Sequence, residues 1–144
     1  MIYIAYGSNL NKDQMEFRCP NATPLGKMYL PDYKLVFRGV ADIIKKEGEF
    51  VPVGIWDVTD DCVKALDRYE GAPRLYQRVD IGMGFTYMMR HRDYAVPSDQ
   101  YFESISTGYQ DFDMYDDVAI QKLNDAYDEA ASMCNLYYDE LARW

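Results

Sequence analysis

The sequence predicts an α+β fold with a largely antiparallel or barrel-like sheet. Short β-branched and aromatic runs dominate up to Met89, whereas helical periodicity gathers after Pro97. A chain of 144 residues buries enough surface for one domain to fold without staples, so residues 1–144 are read as a single unit. Internal repeats and low-complexity tracts are absent.

Taken in order, Ile2 to Ala5 is an apolar strand that ends in the turn Tyr6-Gly7-Ser8-Asn9-Leu10. Ser8 or Asn9 is suited to cap a helix running through Asp13, Met15 and Phe17. Pro20 to Pro24 breaks that pattern, and Leu25 to Leu30 and Tyr33 to Phe37 read as a pair of strands joined by Pro31-Asp32. Lys45 to Glu49 reads as a charged turn, and Val51 to Val58 as a further strand. Gly54 in its interior signals a bulge or a close approach to the backbone.

Thr59 is the expected N-cap of an amphipathic helix carrying Val63, Leu66 and Tyr69 and stopping at Gly71. Tyr76 to Met83 and Phe85 to Met89 read as two strands around a short Gly-rich turn. Pro97-Ser98-Asp99-Gln100 starts a helix with Tyr101 and Ile105 and a stop at Gly108. A final helix from about residue 115 carries Val118, Leu123, Tyr127, Ala130, Met133 or Cys134, Tyr137 and Leu141 as its apolar stripe.

The net charge of -9 and the pI near 4.5 argue against nucleic acid or an anionic membrane as a partner, since both would repel the chain. Arg68, Arg74, Arg78, Arg90 and Arg92 nevertheless fall close together in sequence. They either form a pocket for a small anion or pair with surface acids. Cys19, Cys62 and Cys134 fit neither a disulfide framework nor a zinc motif, which points to a reducing cytoplasm. Met1 to Ala5 is too short for a signal segment, and no run approaches membrane-spanning length, so a soluble cytoplasmic protein is expected. His91, the only histidine, sits in the charged string Arg90 to Asp93, where solvation suits it better than catalysis.

Several reactive machines are missing: there is no Walker loop, no GxGxxG, no CxxC, no HExxH and no GxSxG. What remains is the amide-rich turn and one awkwardly placed carboxylate. Gly7 allows an unusual dihedral and close ligand approach, and free N–H groups from Gly7 to Leu10 suit a carboxylate, a phosphate or a developing oxyanion. Glu70 is expected to close a helix whose last carbonyls repel it, which would push its pKa upward. One acid-base group and an anion-holding turn suffice when the nucleophile belongs to the substrate.

Tyr6-Gly7-Ser8-Asn9-Leu10, Val53-Gly54-Ile55-Trp56 leading to Leu66-Asp67-Arg68-Tyr69-Glu70-Gly71, Leu75-Tyr76, and Pro97 to Tyr101 with Gly108 occur in that order. Together they resemble the gamma-glutamylcyclotransferase-like superfamily, which includes the gamma-glutamylamine cyclotransferases. The resemblance runs from Ile2 to about Gly108 and leaves the last helix outside it.

It implies a small mixed, mostly antiparallel β-barrel with flanking helices. It also implies a substrate site formed by Tyr6, Gly7, Ser8, Asn9 and Leu10, with Tyr76 and Tyr101 as aromatic walls and Glu70 as general acid and base. The implied reaction closes the glutamyl moiety of a gamma-glutamyl amine or amino acid to 5-oxoproline and frees the amine, with neither metal nor cofactor. Arg74, in the short segment Gly71 to Tyr76, is expected beside the site, either binding a substrate carboxylate or partly filling the pocket. A monomer or homodimer is compatible with this reading. The alternatives are a non-catalytic binding module on the same fold and a related lyase or amide hydrolase. The leaving amine is left open.

Overall fold

Alternation of Tyr3 and Ala5 with Ile2 and Ile4 makes β1 (Ile2–Ala5) a strand, and burial from Tyr3 onward makes it a central one. The computed structural model describes residues 1–142 apart from Pro73, His91 and Arg92, with side chains described as far as Cys134. After β1 come a 3-10 turn (Ser8–Leu10), α1 (Lys12–Arg18), β2 (Thr23–Phe37) and β3 (Ala41–Asp57). Then follow α2 (Asp60–Glu70), β4 (Tyr76–Asp80), β5 (Phe85–Met89), α3 (Asp99–Asp111) and α4 (Asp117–Ala142).

The five strands form one mixed sheet in the order β2-β3-β1-β5-β4. β1 lies antiparallel to β3, with Tyr3 opposite Trp56 and Ala5 opposite Gly54, and parallel to β5. The other two pairings, β2 with β3 and β4 with β5, are antiparallel. The fold is therefore α+β with a mostly antiparallel sheet, as expected. Its ladder stays open between β2 and β4. Past the end of β1 its two neighbours are joined by a side chain: Asp42, at the start of β3, accepts the Met89 N–H of β5 at 2.8 Å and pairs with Arg38 at 3.0 Å.

The expected pair of strands from Leu25 to Phe37 is one long strand. Asp32 bulges out of it with φ 63°, opposite an excursion of β3 at Lys46 to Glu49, and its carboxylate accepts the Gly48 N–H at 3.1 Å. The charged stretch is thus a break inside β3, and the real reversal is Arg38 to Val40, where Gly39 supplies φ 82°. The β-branched residues just after Gly39, Ile43 and Ile44, begin β3 earlier than their charged neighbours suggest.

The helix caps differ from expectation at one end of the chain and agree at another. Asn11, rather than Ser8 or Asn9, caps α1 by accepting the Gln14 N–H at 3.1 Å, because Ser8 to Leu10 are already turned into the 3-10 segment. Thr59 caps α2 and Gly71 ends it, as predicted, and Gly71 does so in the left-handed region. β4 stops at Asp80, since Ile81 bonds across the turn to Gly84.

Gly108 does not stop α3. It lets the helix press on the 3-10 turn so closely that a Cβ there would lie 2.6 Å from Leu10 Cβ. Gly54 plays the same part from the sheet side, where a Cβ would meet Leu10 and Phe112 at 2.8 Å. Leu10 is accordingly clamped in the core with no exposed surface. α4 packs on β2 through Ala119, Leu123, Ala126 and Ala130, whereas Val118 and Met133 of the expected stripe are exposed. The side chains of Tyr137 and Leu141 lie outside the described residues, as does His91. Among the described residues no helix is long and apolar enough to cross a membrane.

Candidate active site

The clamp on Leu10 fixes the turn before it, and that turn forms one wall of a cavity of about 190 Å³. Residues from six segments meet there: Tyr3 and the Tyr6 to Asn9 turn, Ala41, Tyr69 and Glu70, Leu75 and Tyr76, Tyr87, and Tyr101. Leu10 does not reach it, and its N–H is spent on Gly7 O at 3.0 Å. The N–H groups of Ser8 and Asn9 carry no hydrogen bond among the described residues. Gly7 has φ -121°, outside the left-handed region. Proximity is what favours glycine there, since a Cβ would stand a tight 3.2 Å from Ala41 Cβ and 3.4 Å from the Tyr101 hydroxyl.

Glu70 is the last residue of α2, and the left-handed turn at Gly71 leaves its half-buried side chain in this cavity. Oε1 accepts a hydrogen bond from Asn9 Nδ2 at 3.3 Å. Burial lifts its pKa to about 7, against which the nearby Arg18 charge pulls downward. Asn9 is itself fixed on three sides. Its Nδ2 also donates to the Tyr3 hydroxyl at 2.9 Å, its backbone carbonyl accepts Trp56 Nε1–H at 3.0 Å, and its side-chain oxygen accepts from Arg18.

The surrounding tyrosines are held protonated, because burial first of all raises the pKa of Tyr3, Tyr6, Tyr76, Tyr87 and Tyr101, and Glu70 adds to it. Their protons are not equally available. Tyr6 donates to Tyr87 O at 2.5 Å, Tyr87 to Asp67 at 2.6 Å, and Tyr76 to Ala41 O at 2.7 Å. The Tyr101 hydroxyl instead accepts the Ala41 N–H at 3.0 Å and so keeps its own proton to give. Tyr76 can therefore accept from a ligand and Tyr101 can donate to one.

All the sequence-derived site residues except Leu10 converge on this cavity. Arg74 does not line it: its side chain is exposed, as are Arg68 and Arg90, and Arg78 pairs with Asp67 at 3.2 Å. Arg92 lies outside the described residues. The guanidinium beside the carboxylate is Arg18, which the sequence reading passed over. Its signal was helical: Gln14 and Arg18 stand four apart on the helix that follows the turn and so share a face. Tyr3, Tyr69 and Tyr87 were likewise missed as walls. Among the described residues no three His, Cys, Asp or Glu side chains gather as a metal site.

Comparison with known proteins gives a consistent picture. The family model described as "Gamma-glutamyl cyclotransferase, AIG2-like" matches residues 3–108. The chain is 27% identical to human gamma-glutamylcyclotransferase over 129 residues, covering 74% of this chain and 69% of that protein. Identity to the mouse protein of the same name is 28% with the same coverage. A solved structure titled "Gamma-glutamyl cyclotransferase" superposes with a TM-score of 0.72 at 25% identity, covering 85% of each chain.

Proposed function

The chain belongs to the gamma-glutamyl cyclotransferase, AIG2-like family, and from that premise we propose that it cyclises a gamma-glutamyl amine or amino acid to 5-oxoproline, releasing the free amine. One observation carries the reading. Glu70 and the turn at residues 7 to 9, far apart in sequence, share one small cavity, whose burial of the carboxyl group pushes its pKa up to about 7.

The substrate's α-ammonium must lose a proton before its nitrogen can attack. Glu70, with a pKa of about 7, accepts it near neutral pH. The freed amine attacks the γ-carbonyl carbon, the five-membered ring closes, and the carbonyl oxygen becomes an oxyanion. The N–H groups of Ser8 and Asn9 and the retained proton of Tyr101 are the donors suited to that oxygen. Loss of one such donor costs about 3 kcal/mol of transition-state stabilisation in comparable sites. As the C–N bond breaks, Glu70 returns the proton to the departing nitrogen, so the enzyme ends as it began. Tyr76, able only to accept, suits the ammonium side of the substrate.

Holding the glutamyl chain folded back against the turn supplies the proximity that an open chain lacks. Tyr69 and Leu75 line the cavity yet remain partly exposed, which suits them to face the leaving amine. The reaction balances with no cofactor. Three free cysteines support a reducing cytoplasm as its setting.

The decisive experiment incubates the protein with a panel of gamma-glutamyl amides and follows 5-oxoproline by mass spectrometry. Turnover of at least one member is expected. Glu70→Gln should abolish it while leaving substrate affinity within roughly tenfold. Full activity in that variant would remove Glu70 from the chemistry.

A further inference from the structure

We infer that Arg18 is a positioning residue for the base: by holding the side-chain oxygen of Asn9 it turns the Asn9 amino group onto Glu70 Oε1 and leaves the other carboxyl oxygen to carry the proton. The inference rests on the cyclotransferase reading of Glu70 and goes beyond it.

A guanidinium only donates, so the end of the Asn9 amide that faces Arg18 is its oxygen. The amino end must then face away, and it meets both Glu70 Oε1 at 3.3 Å and the Tyr3 hydroxyl at 2.9 Å. With Oε1 occupied as an acceptor, the second oxygen of Glu70 has no hydrogen bond among the described residues. Removing Arg18 frees the amide to rotate and to present its oxygen to the carboxylate, a repulsive contact.

Arg18 is itself anchored more firmly than a surface arginine. Its second amino group donates to Gln14 Oε1 at 2.8 Å and to the Tyr69 hydroxyl at 2.6 Å, and its guanidinium lies 3.6 Å from the centre of the Tyr69 ring. Gln14 in turn donates to the Ser104 hydroxyl of α3. A chain of hydrogen bonds thus runs from α3 through α1 to the base. Every partner in it is neutral, and among the described residues Arg18 forms no ion pair. Its charge is left to act on Glu70, whose anionic form it favours. A fork is needed for this geometry, since a lysine ammonium is a point donor that cannot hold Asn9, Gln14 and Tyr69 together.

The test follows the Glu70 carboxyl carbon by NMR across pH in the wild-type protein, Arg18→Met and Arg18→Lys. Kinetics on a gamma-glutamyl amide that the wild type turns over are measured alongside, with Asn9→Ala and the Asn9→Ala/Arg18→Met pair included. In Arg18→Met the Glu70 midpoint should rise by about one pH unit, whereas Arg18→Lys, which keeps the cation, should hold it near the wild-type value. kcat should fall on the order of tenfold or more in Arg18→Met, with KM changed less than about threefold. The double variant should lose little beyond either single one, because the two residues act in series. An unmoved midpoint in Arg18→Met, or losses that multiply in the double variant, would overturn the inference. Should Arg18→Met fail to fold, Arg18→Lys decides through kcat: a wild-type rate would show that the fork is not needed. If no gamma-glutamyl amide is turned over by the wild type, the functional reading fails, while the NMR midpoint still judges the link between Arg18 and Glu70.

Discussion

Replacing Glu70 by Gln tests whether burial sets the acidity of this carboxyl group, and it does so through stability rather than turnover. Burial raises the carboxyl pKa from the ordinary 4.5 to about 7. In the unfolded chain the proton leaves near the lower value, and in the folded chain it stays until near the higher one. Between the two the folded state binds the extra proton, so stability falls as pH rises through that window. Below it both states are protonated and no penalty exists; above it the penalty is complete. At about 1.4 kcal/mol per tenfold change in acidity, that gap corresponds to about 3 kcal/mol.

Gln is neutral throughout and escapes this penalty. Glu70→Gln should therefore match the wild type near pH 4.5, apart from a constant packing offset, and exceed it by about 3 kcal/mol at pH 8, or about 10 °C in Tm for a chain of this size. Urea unfolding of both proteins at several pH values gives the difference directly. A difference that stays flat from pH 4.5 to pH 8 would refute the argument, since it would mean that the folded and unfolded carboxyl groups titrate alike. The expected outcome is a variant that is more stable and, on the proposed mechanism, inactive, as when a buried ionisable group is kept at a cost to stability.

Three further outcomes follow from the packing around the cavity. Gly7→Val brings a side chain against Ala41 and the Tyr101 hydroxyl and should weaken substrate binding by about tenfold or more; unchanged affinity by calorimetry would show that the turn is not the cradle. Gly108→Ala would ordinarily stabilise a helix by up to about 1 kcal/mol. Here its Cβ would stand 2.7 Å from Asn11 N, so a loss of about 1–3 kcal/mol is expected in urea unfolding, and a gain would disprove the close contact. Asp42→Ala strips a buried acceptor from the Met89 N–H and a carboxylate from Arg38. A loss of about 3 kcal/mol should appear in the same assay, with Asp42→Asn retaining part of it.

Local chemistry explains what the sequence by itself determined. A Thr59 hydroxyl caps the next turn, Gly71 adopts a left-handed dihedral, and an apolar stripe buries one helix face, all within a few residues. The α+β class, the end of β1 in a turn and the presence of Glu70 at a helix end could therefore be read from short stretches. Tertiary structure decided what depended on distant neighbours. Gly108 looks like a helix stop, and only the approach of Leu10, nearly a hundred residues away in sequence, makes it a packing residue. The charged run from Lys45 to Glu49 looks like a turn, and only the pairing of its flanks, Lys45 with Tyr33 and Phe50 with Pro31, around the bulged Asp32 keeps it inside a strand. Arg18 looks like an ordinary helix-end arginine, and only convergence of α1, α2 and the 3-10 turn brings it to Asn9 and Tyr69. The acidity of Glu70 belongs to the same class: its position on the helix is written in the chain, but the burial that raises its pKa exists only once the six segments that line the cavity have come together.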